Sequence, residues 1–416
     1  MGIRQIIVMK DKRIAILFLT IFIDLLGFGI IIPILPNLAK TMAAASPIGI
    51  NPDIAVGLVA AVFSIIQFLF APLFGALSDR VGRRPIILGS ILVNALGYVL
   101  FGFAGSFLVL LLARVVSGFG SANISAAQAY IADITDAKDR AKKMGIIGAA
   151  FGLGFVFGPP LGGWLFSAGN HTEYGGMIFV GLFTAALCLI NFILAFVLLP
   201  ESNTSMGGVK RKPKDTFKGM VQAWSIEIVG ELLLINFIYI SAFSMMQINA
   251  AVLWKEHYYL SPKAIGNIFG VIGVFSAIVQ GGLIGFFQKK IGLNRMLLWG
   301  CPIAGLGLTI IPMPTLEWFY PVQIFAIFLL AIGNGLLMPS INSMVSLHSP
   351  ADAQGKMLGI LQSMGSLART VGPLASGFLY ASYFRLPYIA GGTLMMVTFL
   401  LALILVRKLK RVGAEI

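Results

Sequence analysis

Apolar runs of about 20 residues or more recur along this chain from near Ile14 to near Val406, and twelve of them can be counted. A helix needs about 20 apolar residues to cross about 30 Å of hydrocarbon. A chain divided in this way therefore reads as an all-α polytopic membrane protein. Composition agrees: of 416 residues, 58% are hydrophobic and 11% charged, with a mean hydropathy of +0.93. A soluble surface would need about a quarter charged residues. The short alternating strands of a membrane β-barrel are not evident. The 48 glycines and 19 prolines are spread through the runs, which predicts kinked, closely packed helices. The first run carries Asp24, so it reads as a span rather than a cleavable leader.

The net charge of +14 does not imply nucleic acid, because the basic residues sit between the runs, mostly in every second segment. Arg4, Lys10, Lys12 and Arg13 precede the first run; Arg80, Arg83 and Arg84 follow the second; Lys138, Arg140, Lys142 and Lys143 follow the fourth. Lys210, Arg211, Lys212, Lys214 and Lys218 follow the sixth, and Lys289, Lys290, Arg295, Lys356, Arg407, Lys408, Lys410 and Arg411 continue the pattern. The positive-inside rule places these segments and both termini in the cytoplasm. Cys188 and Cys301 lie in apolar runs and read as buried thiols, while His171, His257 and His348 share no metal-ligand spacing. No metal site is expected.

The expected spans are 14–39, 54–77, 84–104, 107–134, 142–168 and 176–199, then 229–254, 264–287, 294–312, 318–346, 355–381 and 387–406. Residues 201–221 are polar and basic and read as a cytoplasmic linker between an N-terminal bundle, 1–200, and a C-terminal bundle, 222–416. An internal repeat supports the division. Ala141-Lys142-Lys143-Met144-Gly145 pairs with Gly355-Lys356-Met357-Leu358-Gly359, and Gly158-Pro159 with Gly163 pairs with Gly372-Pro373 with Gly377, each at an offset of 214. Two six-helix halves around a central cavity are the expected architecture.

Several stretches carry more than topology. In GALSDRVGRRP, 75–85, Gly75 and Gly82 permit close backbone approach and Asp79 offers a hydrogen-bond acceptor; positive charge alone would set topology without that aspartate. Gly152, Gly154, Gly158, Gly162 and Gly163 make a small-residue face suited to helix packing, with Pro159 and Pro160 bending it. No strand precedes this stretch and no Gly-Lys-Ser/Thr follows it, so it is not a phosphate loop. Asp24 and Arg114 are ionisable residues inside spans, and such residues are functional candidates. Counted at about 1.5 Å per residue from opposite faces, their depths differ by about 5 Å. An Asp24–Arg114 pair whose separation and rejoining gates proton uptake is therefore expected, with a purely structural ion pair as the alternative. Glu231 is the fallback coupling carboxylate, though with Glu227 and Asp215 it reads mostly as a rim group. Arg369 is a second partner for Asp24 or a contact for an anionic group on the substrate.

The residues 75–85 resemble the loop motif of the major facilitator superfamily. LLARVVSGFGSA at 111–122 resembles its helix 4 motif, with Ser117 where that motif carries glutamine. GAAFGLGFVFGPPLGG at 148–163 is similar to the helix 5 motif of its proton-coupled drug exporters, and DLLGFGIIIPILPNL at 24–38 resembles the tetracycline/proton antiporters. The resemblance implies the major facilitator fold, with twelve transmembrane helices in two pseudo-symmetric six-helix halves. It implies that Asp79 caps the cytoplasmic end of helix 11 and pairs with Arg83, while Asp133 braces Arg80 or Arg84. That latch would comprise Gly75, Asp79, Arg80, Gly82, Arg83, Arg84 and Asp133. Gly154, Gly158, Pro159, Gly162, Gly163, Gly372 and Pro373 would form an outer seal.

The expected function is proton-coupled efflux, by alternating access, of an apolar or amphipathic molecule such as a tetracycline-like drug, across a bacterial inner membrane. Its partners are the substrate, protons and lipid; the functional unit is a monomer, and the chain is not an enzyme. With no Walker motif, the gradient rather than a cofactor supplies the energy. The cavity is expected to present Asn123, Gln128, Asn236, Gln247, Gln280, Asn334, Gln362 and Arg369 among many of the 32 Phe and 17 Met. Those amides keep a second reading open, a carrier of a sugar, organic acid or lipid-like metabolite that works by symport. A non-transporting receptor would need a signalling domain or a long tail.

Overall fold

Every expected run is helical in the computed structural model, which describes residues 3–135, 137–172, 175–202, 224, 226–349 and 354–411; no strand occurs among the described residues. Helix α1 spans Ile3–Ile31 and stops where Pro33 removes an amide donor. The amides of Ile32 and Ile34 instead reach back three residues, to the carbonyls of Gly29 and Ile31 at 3.2 and 3.1 Å. The run continues as α2, Leu35–Ala44. Helix α3, Pro52–Val81, starts on proline, whose fixed φ suits the first helical position, and Asn51 Oδ1 accepts from the Asp53 amide at 2.9 Å. Helix α4 is Arg83–Gly102. The fourth run is not continuous: α5, Phe107–Gly120, passes through a tighter three-residue turn, Ser121–Asn123, into α6, Ile124–Ile134. Helices α7, Ala137–Gly169, and α8, Gly175–Leu198, complete the first six runs.

The later runs give α9, Glu227–Glu256, and α10, Pro262–Ile278, which widens into a π turn at Val279–Leu283. Helix α11, Ile284–Ile310, is broken at Gly292, whose φ of 75° only glycine adopts readily. That break separates the eighth run from the ninth. Helices α12, Phe319–Leu347, α13, Gln354–Ser382, and α14, Leu386–Arg411, follow. Among the described residues, nine stretches are each long and apolar enough to cross a membrane; α7, α10 and α13 supply the other three expected spans. This is a multi-pass membrane protein. Trp164 and Trp318 are exposed, as tryptophans at a membrane–water interface are, whereas Trp254 is wholly buried.

Packing sorts the chain into two compact units. One comprises Met1–Ile34, Val62–Asp215 and Pro262–Gly270, the other Leu35–Ala61, Thr216–Ser261 and Val271–Ile416. The linker expected at 201–221 lies, from 203 onward, outside the described residues. In the first unit α1 packs on α7 and α8, and α4 packs on α5 and α8. In the second, α9 packs on α13 and α14, and α11 packs on α12 and α14. These are the same pairings under the internal repeat, so the two halves are pseudo-symmetric in packing as well as in sequence.

Candidate functional site

Asp24 of α1 is partly accessible, with Oδ2 accepting from Asn123 Nδ2 at 2.8 Å. Its Oδ1 is buried with no hydrogen-bond partner among the described residues, although Asn94 of α4 stands close enough to act on the same carboxylate. The Asn123 contact depends on the turn at Ser121–Asn123, which re-phases the fourth run just before the amide. Arg114 is buried, at 4% exposed. Its guanidinium stacks over the Phe63 ring at 4.3 Å, and no ion pair with Asp24 forms among the described residues. The reason is axial. Asn123 marks the level of Asp24, and Arg114 lies nine residues earlier in the run, about 13 Å along a helix. The buried Tyr98 of α4 sets its hydroxyl against Gly27, in the next turn of α1 after Asp24. Asn191 of α8 secures the turn before it, donating to the Thr20 carbonyl at 3.2 Å. The result is a carboxylate half-satisfied by amides on a close-packed helix.

At the end of the bundle carrying 75–85, Arg83 is the hub. Its guanidinium meets Asp79 Oδ1 at 2.5 Å, Ser78 Oγ at 2.6 Å and Asp133 Oδ2 at 3.1 Å. Asp133 thus binds Arg83, rather than Arg80 or Arg84 as the motif resemblance implied. Gly82, at φ 101°, ends α3 and lets α4 begin at Arg83, which turns Arg83 inward while Arg80 stays exposed. Arg84 covers the Phe196 ring, 5.2 Å from its centroid, and donates to the Phe196 carbonyl. Gly75 lies against the Ser125 side chain. The cap expected from Asp79 onto helix 11 falls at 350–356, where residues 350–353 and the later side chains lie outside the described residues.

The small-residue face of α7 has two sides. Gly154, Gly158 and Gly162 meet Leu25, Gly29 and Ile30 of α1, where an added Cβ would stand 3.0, 2.7 and 1.8 Å from backbone atoms. Gly158 therefore serves the α1–α7 contact. The other side does meet the C-terminal sequence: a Cβ on Gly163 would strike the Pro262 carbonyl, one on Gly266 would strike the Pro159 carbonyl, and Trp164 Nε1 donates to Asn267 Oδ1 at 2.9 Å. The repeat reproduces this in the second unit. Gly372 packs on Ser241 and Ser244 of α9, Gly377 on Asp53 and Ile54, and the Pro373 carbonyl sits against Gly57.

The polar residues expected in a cavity belong to both units. Asn123 serves Asp24, Gln128 and Gln247 are half-buried, and Gln280 is exposed in the π turn. In the second unit Asn236 donates to the Leu361 carbonyl at 3.3 Å and Tyr239 donates to Asn334 Oδ1 at 2.9 Å. Gln362 and Arg369 are half-buried on α13. Glu231 is held by Lys408 Nζ at 2.7 Å, and the same ammonium meets Glu227 at 2.6 Å.

Three features escaped sequence reasoning. Glu201 accepts from the amides of Arg83 and Arg84 at 2.9 and 3.0 Å, capping α4 from 118 and 117 residues away. Lys40 of α2 sits between Asp53 at 2.5 Å and Glu256 at 2.7 Å, with the Tyr380 ring 5.4 Å off. Asn249 of α9 donates to the Ser376 carbonyl of α13 at 3.2 Å, and Ser376 in turn donates to the Met245 carbonyl at 3.0 Å. A charged residue just after a terminating Pro200 was the available signal for Glu201; the other two features lack a local signature.

Comparison with known proteins gives a match to the family model described as Major Facilitator Superfamily, over residues 17–369 and 232–415. The class C tetracycline resistance protein of Escherichia coli is 31% identical over 401 residues, covering 94% of this chain and 96% of that one. The quinolone resistance protein NorA of Staphylococcus aureus is 27% identical over 92% of this chain and 94% of its own length. Among solved structures, the human organic anion transporter MFSD10 superposes with a TM-score of 0.71 at 23% identity, over 94% of this chain and 99% of that chain. A bacterial homologue of the lysosomal transporter Spinster gives 0.75 at 16% identity, over 97% and 98%.

Proposed function

We propose that this chain, which belongs to the major facilitator superfamily, exports an amphipathic small molecule in exchange for protons, with Asp24 as the coupling carboxylate. It is a transporter rather than an enzyme. The observation that carries the reading is the Asp24 carboxylate itself: one oxygen held by Asn123 and the other buried with no hydrogen-bond partner among the described residues, inside a span. Charge in a membrane interior is costly, and a carboxylate there persists where it does work. Protonation removes the cost, deprotonation restores it, and the α1–α7 seam makes any strain at Asp24 a strain on the packing around it. Similarity to tetracycline and quinolone resistance proteins supports export and drug-like cargo. The basic segments support an orientation with both termini in the cytoplasm and Arg83 at the inner face.

The half-buried amides Gln247 and Gln362 and the Tyr239–Asn334 pair favour a second reading, a carrier of a polar metabolite. One experiment separates the two. Proteoliposomes containing the full chain are given an imposed pH gradient and a panel including tetracycline, a quinolone, a sugar and a dicarboxylate. Gradient-driven movement of drug against the proton flow supports export. Movement of sugar or dicarboxylate along with protons overturns it.

A further inference from the structure

Arg369 is the sixteenth residue of the 29-residue α13, at the middle of its span. A cation at that depth is normally met by an anion, a carbonyl or water. The sequence offers no carboxylate near it in the C-terminal half: Glu227 and Glu231 open α9 and are bound by Lys408, Glu256 ends α9, and Glu317, Asp352 and Glu415 lie outside the spans. Among the described residues the guanidinium makes one hydrogen bond, from Nη2 to Ser366 Oγ at 3.3 Å, and no ion pair. Four of its five donors are left for something else.

The surroundings are arranged for a ligand rather than for lipid. Gln362, Ser366 and Arg369 follow at helical spacing along one face of α13, all half-buried. Gly365, one turn before Arg369, lets the guanidinium and Ile240 of α9 approach the same stretch of backbone: a Cβ there would stand 3.7 Å from the guanidinium and 3.0 Å from Ile240. The guanidinium thus lies toward α9. Tyr239, next to Ile240 on that helix, already donates its phenol to Asn334 at 2.9 Å. Apolar Ile240 near a guanidinium with donors to spare suits an aromatic or aliphatic body carrying one anionic group.

We propose that Arg369, with Ser366 and Gln362, forms a subsite for the anionic group, a carboxylate or an acidic enol, of an amphipathic substrate. This deepens the export reading by naming the substrate's charge, and it rests on that reading only for the direction of transport. The guanidinium fork would take two oxygens side by side, a geometry that lysine lacks.

The test measures binding, without a gradient, so that failure of coupling does not affect it. The full chain in lipid nanodiscs is dialysed to equilibrium against 2-naphthoate and, separately, its neutral isostere 2-naphthamide, with empty nanodiscs subtracted. The wild type is expected to bind naphthoate at least tenfold more tightly than the amide. R369Q should bring the two within twofold of each other by losing naphthoate alone, and R369K should fall between. Folding of each variant is read from its elution profile and from retained amide binding, and R369K carries the test if R369Q does not fold. An unchanged naphthoate-to-amide ratio in the folded variant overturns the subsite. So does a wild type that binds both probes equally or binds neither. Export, by contrast, fails only in the proteoliposome experiment above.

Discussion

Replacing Gly158 with alanine adds one methyl group to α7 at the point where it crosses α1. That Cβ would stand 2.7 Å from the Gly29 Cα, against an ordinary contact of at least 3.4 Å. The helices must therefore part by about 0.7 Å locally, and the obstacle is backbone, which cannot rotate away. Overpacking of this kind costs about 1–3 kcal/mol. Alanine also favours the helix by about 0.5–1 kcal/mol over glycine, which partly hides the cost. Gly152 supplies the correction: it lies in the same helix, and a Cβ there meets nothing within 4 Å. Gly152→Ala carries the helix term without the clash, so the difference between the two variants isolates overpacking at about 1–3 kcal/mol. At 1.4 kcal/mol per factor of ten, the unfolding equilibria should differ by roughly 5- to 150-fold. Thermal unfolding of the two proteins, purified in the same detergent, measures it. Gly158→Leu should be worse and should slow transport while leaving all spans inserted. If Gly158→Ala and Gly152→Ala unfold at the same temperature, the α1–α7 seam does not constrain the fold and the packing argument is wrong.

The remaining predictions concern charge. Asp24→Asn should abolish proton movement linked to substrate in vesicles while leaving substrate counterflow intact; unchanged proton movement per substrate would place coupling elsewhere. Arg83→Lys keeps the charge but loses the fork that reaches Asp79, Ser78 and Asp133 together, so transport should fall at least tenfold in correctly inserted protein. Asp79→Asn should act in the same direction, and normal flux in either variant would remove the hub from the mechanism. Glu201→Gln weakens the charged cap on the α4 amides and should lower stability by about 1 kcal/mol; calorimetry showing no change would mean that water serves those amides equally well.

The sequence by itself determined the class, the spans and the repeat, because hydropathy is an average over about 20 residues and survives errors of several residues. It also identified Asp24 and the 75–85 loop, since a carboxylate in an apolar run and an aspartate between glycines are local anomalies. Which group each of them meets was settled only by tertiary structure. Arg114 pairs with the Phe63 ring and not with Asp24, and Asn123 takes the carboxylate because a tighter turn at Ser121–Asn123 changes the phase of the fourth helix. Arg83 rather than a neighbouring arginine receives Asp133 because Gly82 at φ 101° resets the chain direction one residue before it. Glu201 reaches α4 across 118 residues of sequence. A hydrogen bond tolerates a few tenths of an ångström and a helix turns about 100° per residue, so one displaced residue changes the partner while leaving the hydropathy of the run untouched.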